Sequence, residues 1–155
     1  MANLKDIAEN IKKNNLDKAL NLCDKCDDIN NQHIISNFRG VIYLIKENLE
    51  LSEKNFLKSL KINPRFEDAI KNLYLVYLKK KLFKNLLIYA RKLVEIDKLN
   101  AEHIYKLAYA FELNNNLDES IKYYNVYINF DGKNKKQAFN NIGCMYLRIN
   151  KPKIA

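Results

Sequence analysis

Aromatic residues recur through this sequence at a nearly constant interval. Successive members of the series are 34, 34 and 35 residues apart, at Tyr43, Tyr77, Phe111 and Tyr146. An apolar residue lies four positions before each of the last three aromatic residues. These apolar residues are Leu73, Leu107 and Ile142, so they recur at the same interval. A fixed period of this length indicates a tandem array of one small structural unit stacked on its neighbours, rather than a single globular core.

Each period contains two runs of helical spacing separated by a short break. In the third period the first run places Ile70, Leu73, Tyr74 and Tyr77 at i, i+3, i+4 and i+7, which is one face of an α-helix. A second run begins at Leu86, after the segment KKKLFKN. With only three Gly and two Pro, the chain is poor in the turn residues that a β-sandwich or barrel needs. The sequence therefore predicts an all-α fold in which each period is a helix hairpin.

This pattern resembles the tetratricopeptide repeat. The likeness is carried by the 34-residue period, by a small residue three positions before the aromatic (Gly40, Ala108 and Gly143), and by the segment SLKINP, which ends at Pro64. One departure is Lys81, which stands in an inter-helix turn where the family usually has glycine. The resemblance covers essentially the whole chain, and it implies a right-handed superhelical solenoid of antiparallel helix hairpins with four repeats and half of a fifth.

The resemblance also sets the expected repeat boundaries within a single solenoid domain. We expect repeats at about residues 3–32, 33–66, 67–100, 101–134 and 136–155. The last repeat contains only its first helix, whereas solenoids normally end on a polar capping helix because an exposed apolar stacking face promotes aggregation. We therefore interpret the chain as a fragment of a longer polypeptide.

The net charge of +9 has a compositional origin that argues against nucleic-acid binding. Lys, Asn and Ile make up 63 of the 155 residues, whereas Arg, which contacts phosphates and bases better than Lys, occurs four times. Such a bias is typical of an AT-rich genome. No stretch approaches the roughly 20 apolar residues of a membrane span, and the first residues lack the apolar core of a signal peptide. We therefore expect a cytoplasmic protein without nucleic-acid or membrane partners.

Residues capable of chemistry are few and scattered. Cys23 and Cys26 form a CxxC motif in apolar positions of a predicted helix, without a second such motif, so we interpret both as core residues. The sequence places neither His33 nor His103 near a nucleophile or a set of metal ligands. We expect no catalytic site, no metal site and no cofactor.

The family resemblance points to one functional surface. First helices of tetratricopeptide repeats line a concave groove that usually binds peptide segments of other proteins. The inward positions that this implies combine aromatic, apolar, amide and cationic side chains suited to anchoring a peptide. They are Asn37, Phe38, Val41, Lys71, Asn72, Leu75, Tyr105, Lys106, Tyr109 and Asn141. Phe38 also fits an alternative role, in packing between neighbouring first helices.

These observations favour a non-catalytic scaffold for protein–protein interaction, whose partner is a protein or a peptide. One alternative is that the chain is the N-terminal, substrate-recruiting part of a larger enzyme, such as a glycosyltransferase or a sulfotransferase. A second alternative is self-association, because the open face of the fifth repeat could stack on another copy. The gene sequence beyond residue 155 tests the enzyme alternative, and light scattering across concentrations tests self-association.

Overall fold

The computed structural model describes residues 3–130 and 135–150. These residues form nine α-helices and one turn of 3-10 helix at Ile29–Asn31, with no β-strand among them. The α-helices are α1 (Leu4–Lys12), α2 (Leu16–Asp24), α3 (Gln32–Ile45), α4 (Leu49–Ile62), α5 (Glu67–Lys79), α6 (Phe83–Ile96), α7 (Ala101–Leu113), α8 (Leu117–Asn129) and α9 (Lys135–Ile149). The expected ends of the fourth and fifth repeats, at 131–134 and 151–155, lie outside the described residues.

The chain divides into two compact units, the N-terminal unit Met1–Lys81 and the C-terminal unit Leu82–Ala155. In the N-terminal unit α1 packs on α2, α3 on α4 and α4 on α5, and in the C-terminal unit α6 packs on α7, α7 on α8 and α8 on α9. Each unit has an apolar cluster of its own. The N-terminal cluster contains Ile7, Ala19, Cys23, Cys26, Ile35 and Ile42. The C-terminal cluster contains Ile104, Ala108, Ile121, Tyr124, Tyr127, Ala138 and Met145.

Close packing of α3 on α4 depends on Gly40. A Cβ atom added to this glycine would lie 2.4 to 2.9 Å from ring atoms of Phe56, which is fully buried on α4. The buried Ser52 Oγ donates a hydrogen bond to the Gly40 carbonyl oxygen at 2.9 Å and ties the two helices together. The α7–α8 pair repeats this bond, because the buried Ser120 Oγ donates to the Ala108 carbonyl oxygen at 2.8 Å. A small residue followed twelve positions later by a serine therefore marks both hairpins.

Four turns between helices contain a residue in the left-handed backbone conformation. The φ angle is 58° at Asn14, 59° at Glu47, 56° at Lys81 and 59° at Asn115. In the second of these turns Asn48 follows and caps α4, because its side chain accepts a hydrogen bond from the backbone at 3.0 Å. Asparagine tolerates left-handed φ angles, whereas glutamate and lysine adopt them at a steric cost.

Glycine at the two costly turn positions is expected to stabilise the protein. Glu47→Gly and Lys81→Gly should each raise the free energy of unfolding by about 0.5–1 kcal/mol, because glycine relieves the left-handed strain but also gains freedom in the unfolded chain. Thermal unfolding followed by circular dichroism measures the change. Asn115→Gly is the matched control and should have little effect, and a loss of stability in both test variants would contradict the expectation.

Lys80 links α4 to the end of α5. Its Nζ lies 2.6 Å from Glu53 Oε2 and 3.2 Å from Glu50 Oε1, and the Tyr77 hydroxyl donates to the other Glu53 oxygen at 2.7 Å. The hydrogen bond to Glu53 raises the pKa of Lys80, and the bond from Lys80 lowers the pKa of Glu50. The contribution of Glu50 to stability is therefore present above its ordinary pKa of 4.5 and is lost as the pH falls. The contribution of Lys80 to stability is present below its ordinary pKa of 10.5 and is lost as the pH rises above that value.

Candidate functional site

The ten predicted groove residues all lie on odd-numbered helices, which are the first helices of the hairpins. They fall into two sets because the chain divides into two units. The α3–α5 surface, in the N-terminal unit, comprises Asn37, Phe38, Val41, Lys71, Asn72 and Leu75. The α7–α9 surface, in the C-terminal unit, comprises Tyr105, Lys106, Tyr109 and Asn141.

A pair of asparagines joins α3 to α5. Asn72 Nδ2 donates a hydrogen bond to Asn37 Oδ1 at 3.0 Å, and Asn37 is only 5% exposed. This bond fixes the orientation of both amides, and it leaves Asn72 with one N–H donor and its carbonyl oxygen for another partner. Leu75 lies three residues further along α5 and is 41% exposed. Residues three apart are neighbours on a helix surface, so an oriented amide and an exposed leucine lie side by side.

The other apolar members of the α3–α5 surface are less accessible. Phe38 is partly buried and packs against the N-terminal cluster. Val41 is also partly buried. Leu75 is therefore the most exposed apolar side chain on this surface.

The lysine of each surface has an acidic neighbour one turn earlier on its own helix. Lys71 Nζ lies 2.5 Å from Glu67 Oε1 on α5. Lys106 makes the same i, i+4 ion pair with Glu102 on α7. Because pairs of this kind support the helix and bring the two charges together, neither lysine adds an isolated positive charge to its surface.

A polar cluster around one buried tyrosine joins α7, α8 and α9. The hydroxyl of Tyr124, a fully buried residue on α8, donates to Glu112 Oε2 at 3.1 Å and accepts a hydrogen bond from Asn141 Nδ2 at 2.8 Å. The ring of Tyr105 packs edge-on against Tyr124 and Tyr127, with centroid distances of 5.3 and 5.1 Å. Two predicted groove residues, Tyr105 and Asn141, therefore meet around a tyrosine from a second helix.

Both phenols of this cluster are neutral at physiological pH. Burial raises the pKa of Tyr124 and of Tyr105, and the hydrogen bond from Asn141 opposes this effect only in part. They therefore act as neutral hydrogen-bonding groups. Tyr109 also packs against the C-terminal cluster and is partly buried, so the aromatic members of the α7–α9 surface have their rings anchored in the core.

Known proteins share this architecture. Residues 35–66, which span most of α3 and all of α4, match a family model described as tetratricopeptide repeat. A structure of MamA from Desulfovibrio magneticus RS-1 superposes with a TM-score of 0.80, at 18% sequence identity over 94% of this chain and 82% of that one. The chain has the tetratricopeptide-repeat fold. The predictions of this family likeness and of an all-α hairpin fold are thereby confirmed.

Two further structures have the same tetratricopeptide-repeat fold. YrrB, described as a TPR protein with an unusual peptide-binding site, is 22% identical over 95% of this chain and 76% of its own, with a TM-score of 0.81. MamA of strain AMB-1 is 16% identical over 94% of this chain and 79% of its own, with a TM-score of 0.78. No curated protein sequence matches the chain.

The sequence did not indicate Tyr124 as a neighbour of the candidate groove. The groove of a tetratricopeptide repeat is inferred from the first helices, whereas Tyr124 belongs to the second helix α8. The hydroxyl of Tyr124 was the available signal of a polar contact, because a buried tyrosine hydroxyl usually finds a hydrogen-bond partner.

Groups with potential reactivity are buried or dispersed among the described residues. Across residues 3–130 and 135–150, no three His, Cys, Asp or Glu side chains are grouped as metal ligands, and no helix is long and apolar enough to cross a bilayer. Cys23 and Cys26 are buried free thiols in the N-terminal cluster, although Cys26 lies after the end of α2 rather than within a helix. Burial raises the pKa of the Cys23 thiol to about 11, so this thiol is protonated and a poor nucleophile at neutral pH.

Proposed function

We propose that this chain is a non-catalytic scaffold that binds a peptide segment of another protein on its first helices. The tetratricopeptide-repeat fold supports the scaffold role, and YrrB, which has this fold, is described as having an unusual peptide-binding site. The observation that carries the proposal is the Asn37–Asn72 hydrogen bond beside the exposed Leu75.

The α3–α5 surface offers a peptide both polar and apolar contacts. Asn72 is held by Asn37, so little side-chain entropy is lost when its free N–H and carbonyl oxygen bind a peptide backbone. Leu75 is positioned to pack against an apolar side chain of the same ligand. The ion pair between Lys71 and Glu67 leaves this surface without a strong charge preference.

The α7–α9 surface offers aromatic contacts on a rigid base. Tyr105 is fixed by Tyr124 and Tyr127, and Tyr109 by the C-terminal cluster, so both rings can bury ligand surface at low entropic cost. Glu112, on the same helix and bonded to Tyr124, adds a carboxylate suited to a basic group of the ligand.

Peptide selection on the purified chain tests the proposed function. A random peptide library displayed on phage should yield binders whose affinity is measured by fluorescence anisotropy. The double variant Leu75→Ala with Tyr109→Ala should weaken binding by about tenfold or more, because a few anchor side chains supply most of the binding energy of such interfaces, while the helical circular dichroism signal is retained.

Leu57→Ala is the matched control for the single variant Leu75→Ala, since Leu57 is also 41% exposed but lies on the second helix α4. The control variant Leu57→Ala should leave peptide binding unchanged. Absence of any selected peptide, or equal loss of binding in Leu57→Ala and Leu75→Ala, would contradict a binding role for the first helices.

A further inference from the structure

A cleft between α3 and α4, within the N-terminal unit, has a strongly positive lining. Its volume is about 490 Å³, which lies in the range of ligand-binding pockets. Half of the residues that line it are cationic and none of them is acidic, since α3 contributes Arg39 and α4 contributes Lys54, Lys58 and Lys61. Tyr43 of α3 also lines this α3–α4 cleft.

The three lysines form a row along one side of α4. All three are exposed, and their spacing of i, i+4 and i+7 places them on one face of the helix, within about 10 Å along its axis. None of them forms an ion pair within the part of the chain that the structure describes. Their mutual repulsion is therefore not relieved by the protein itself, which favours the binding of an anionic group.

Arg39 interrupts an apolar column of the repeat. The residues 34 and 68 positions later are Leu73 and Leu107, and both are buried. Arg39 is instead partly exposed, and its Nη2 donates to Asp24 Oδ1 at 2.7 Å and to the Cys23 carbonyl oxygen at 3.1 Å. These bonds use one nitrogen of a guanidinium that has five N–H donors, so other donors remain for a ligand. The lysine-rich composition does not account for this residue, because arginine occurs only four times in the chain.

The space in the α3–α4 cleft exists because Asn55 stands where the next two repeats have a tyrosine. The corresponding residues are Tyr89, which is buried on α6, and Tyr123 on α8. The ring of Tyr123 stacks on Phe111 of α7, with a centroid distance of 5.4 Å and an interplanar angle of 17°. Phe111 corresponds in the repeat to Tyr43, so a tyrosine ring fills in the α7–α8 hairpin the space that Tyr43 and Asn55 line between α3 and α4.

Asn55 does not replace the missing ring. Its side chain is shorter than tyrosine, and its Nδ2 donates a hydrogen bond at 2.8 Å to the Leu51 carbonyl oxygen on its own helix. The exposed side chain of Leu51 also lines the α3–α4 cleft. The cleft therefore combines cations, a tyrosine ring and an aliphatic group.

This combination favours an acidic peptide over other anionic ligands. A peptide presents carboxylates, an aromatic ring and aliphatic side chains together, whereas a nucleic acid offers phosphates and base faces but few aliphatic groups. A second copy of this chain carries a net charge of +9 and is repelled by a positive surface. The Tyr123–Phe111 stack shows that a tyrosine ring fits at this position of the repeat.

We infer that the α3–α4 cleft binds an acidic segment of a partner protein in which a tyrosine or phenylalanine stands between aspartate or glutamate residues. The aromatic ring stacks on Tyr43, as Tyr123 stacks on Phe111. The flanking carboxylates bind Arg39 and the three lysines of α4.

The α3–α4 cleft is separate from the surface proposed above for the first helices. Arg39 and Tyr43 follow Asn37 and Val41 by two positions, which is a rotation of roughly 200° around an α-helix. The two pairs therefore lie on opposite sides of α3, and a ligand in the cleft leaves the α3–α5 surface accessible.

A labelled acidic peptide tests the inference on the full chain. The probe is a fluorescein-labelled peptide with one tyrosine between three acidic residues on each side, and anisotropy measures its binding. We expect saturable binding that weakens as the salt concentration rises, because the attraction is largely between exposed charges. A peptide with alanine in place of the tyrosine should bind several-fold more weakly.

Protein variants locate the binding in the cleft. Lys58→Glu should weaken it by about tenfold or more, because an attractive charge becomes a repulsive one. Lys92→Glu is the matched control, since it makes the same charge change 34 positions later, where Tyr89 takes the place of Asn55, and it should bind normally. Asn55→Tyr should weaken binding by about tenfold or more with its helical circular dichroism signal retained, because the new ring occupies the place of the ligand ring.

Further measurements distinguish this inference from the proposed function of the first helices. The double variant Leu75→Ala with Tyr109→Ala should bind the acidic probe normally. Peptides selected on the first helices should bind Asn55→Tyr as well as the wild-type chain.

Any of four results would overturn the inference. The first is no saturable binding of the acidic probe up to about 1 mM. The second is equal loss of binding in Lys58→Glu and Lys92→Glu, which would show unspecific attraction to a basic protein. The third is unchanged binding in Asn55→Tyr. The fourth is tighter binding of a single-stranded thymidine oligonucleotide of the same net charge that Asn55→Tyr abolishes, because the occupant would then be a nucleic acid.

Discussion

The substitution Gly40→Ala is expected to lower the free energy of unfolding by up to about 2 kcal/mol, although alanine is the better helix former. Overpacking a filled core costs about 1–3 kcal/mol, and the higher helix propensity of alanine returns only about 1 kcal/mol. The cost is unavoidable because an added Cβ would lie within 2.9 Å of three Phe56 ring atoms, and Phe56 is fully buried. Urea unfolding followed by circular dichroism measures the change.

Gly143→Ala is the matched control, because it makes the same change in the same column of the repeat. Its Cβ would meet nothing within 4 Å, so alanine should stabilise the protein by about 0.5–1 kcal/mol. The two substitutions should therefore have opposite signs. A second test combines Gly40→Ala with Phe56→Leu, and the alanine should cost less in that background because the ring is gone. Stabilisation by Gly40→Ala in the wild-type background would show that Phe56 does not occupy the space above Gly40.

The hairpins could be predicted because the repeating residues are those that make contact between paired helices. The column that contains Gly40 recurs with the period because a second helix packs against it, and Phe56 shows that contact directly. The unfavourable turn at Lys81 could be predicted in the same way, and its φ of 56° is left-handed. Periodicity detects these positions because the same backbone geometry recurs in every repeat.

Polar contacts between helices could not be predicted. Lys80 lies in the run Lys79–Lys81 and bridges Glu50 and Glu53 of α4. Such a partner is invisible in the sequence because it is more than 25 residues away and its distance depends on how two helices pack. One amino-acid sequence contains no pattern that distinguishes Lys80 from the other lysines as the residue that pairs with Glu50 and Glu53.

The candidate site was predictable in position but not in detail. Counting along the repeat placed all ten predicted residues on first helices, and their role in binding a peptide stays a prediction. The bond between Asn72 and Asn37 depends on side-chain rotamers that the sequence does not determine. The contact of Asn141 with Tyr124 requires three helices to meet at one point, so no local pattern reveals it.

Removal of the Tyr124 side chain is expected to destabilise the C-terminal unit strongly. Tyr124→Ala should cost about 3–5 kcal/mol, because it deletes a fully buried aromatic from the C-terminal cluster. Tyr124→Phe keeps the ring and should cost about 1 kcal/mol, the value of a typical lost hydrogen bond. Urea unfolding of the two variants separates packing from hydrogen bonding, and a similar loss in both would show that the hydroxyl bonds to Glu112 and Asn141 dominate.

The same tyrosine should make the protein sensitive to alkaline pH. Burial raises the pKa of Tyr124 in the folded state, whereas unfolded tyrosines ionise near pH 10, so the folded state binds the phenolic proton more tightly. Stability is therefore unaffected below about pH 10 and falls above it, by up to about 1.4 kcal/mol for each pH unit per buried tyrosine. Tyr105, whose pKa burial also raises, should contribute in the same direction.

Unfolding free energies of the wild type and Tyr124→Phe, measured between about pH 8 and pH 12, test this sensitivity. The phenylalanine variant starts less stable but lacks the ionisable group, so its curve should fall less steeply and approach or cross that of the wild type at high pH. Tyr146→Phe, which changes a tyrosine that is 51% exposed, is the control and should keep the wild-type slope. Parallel curves for wild type and Tyr124→Phe would mean that the phenol of Tyr124 ionises as readily in the folded protein as in the unfolded chain, which is incompatible with its burial between α7 and α9.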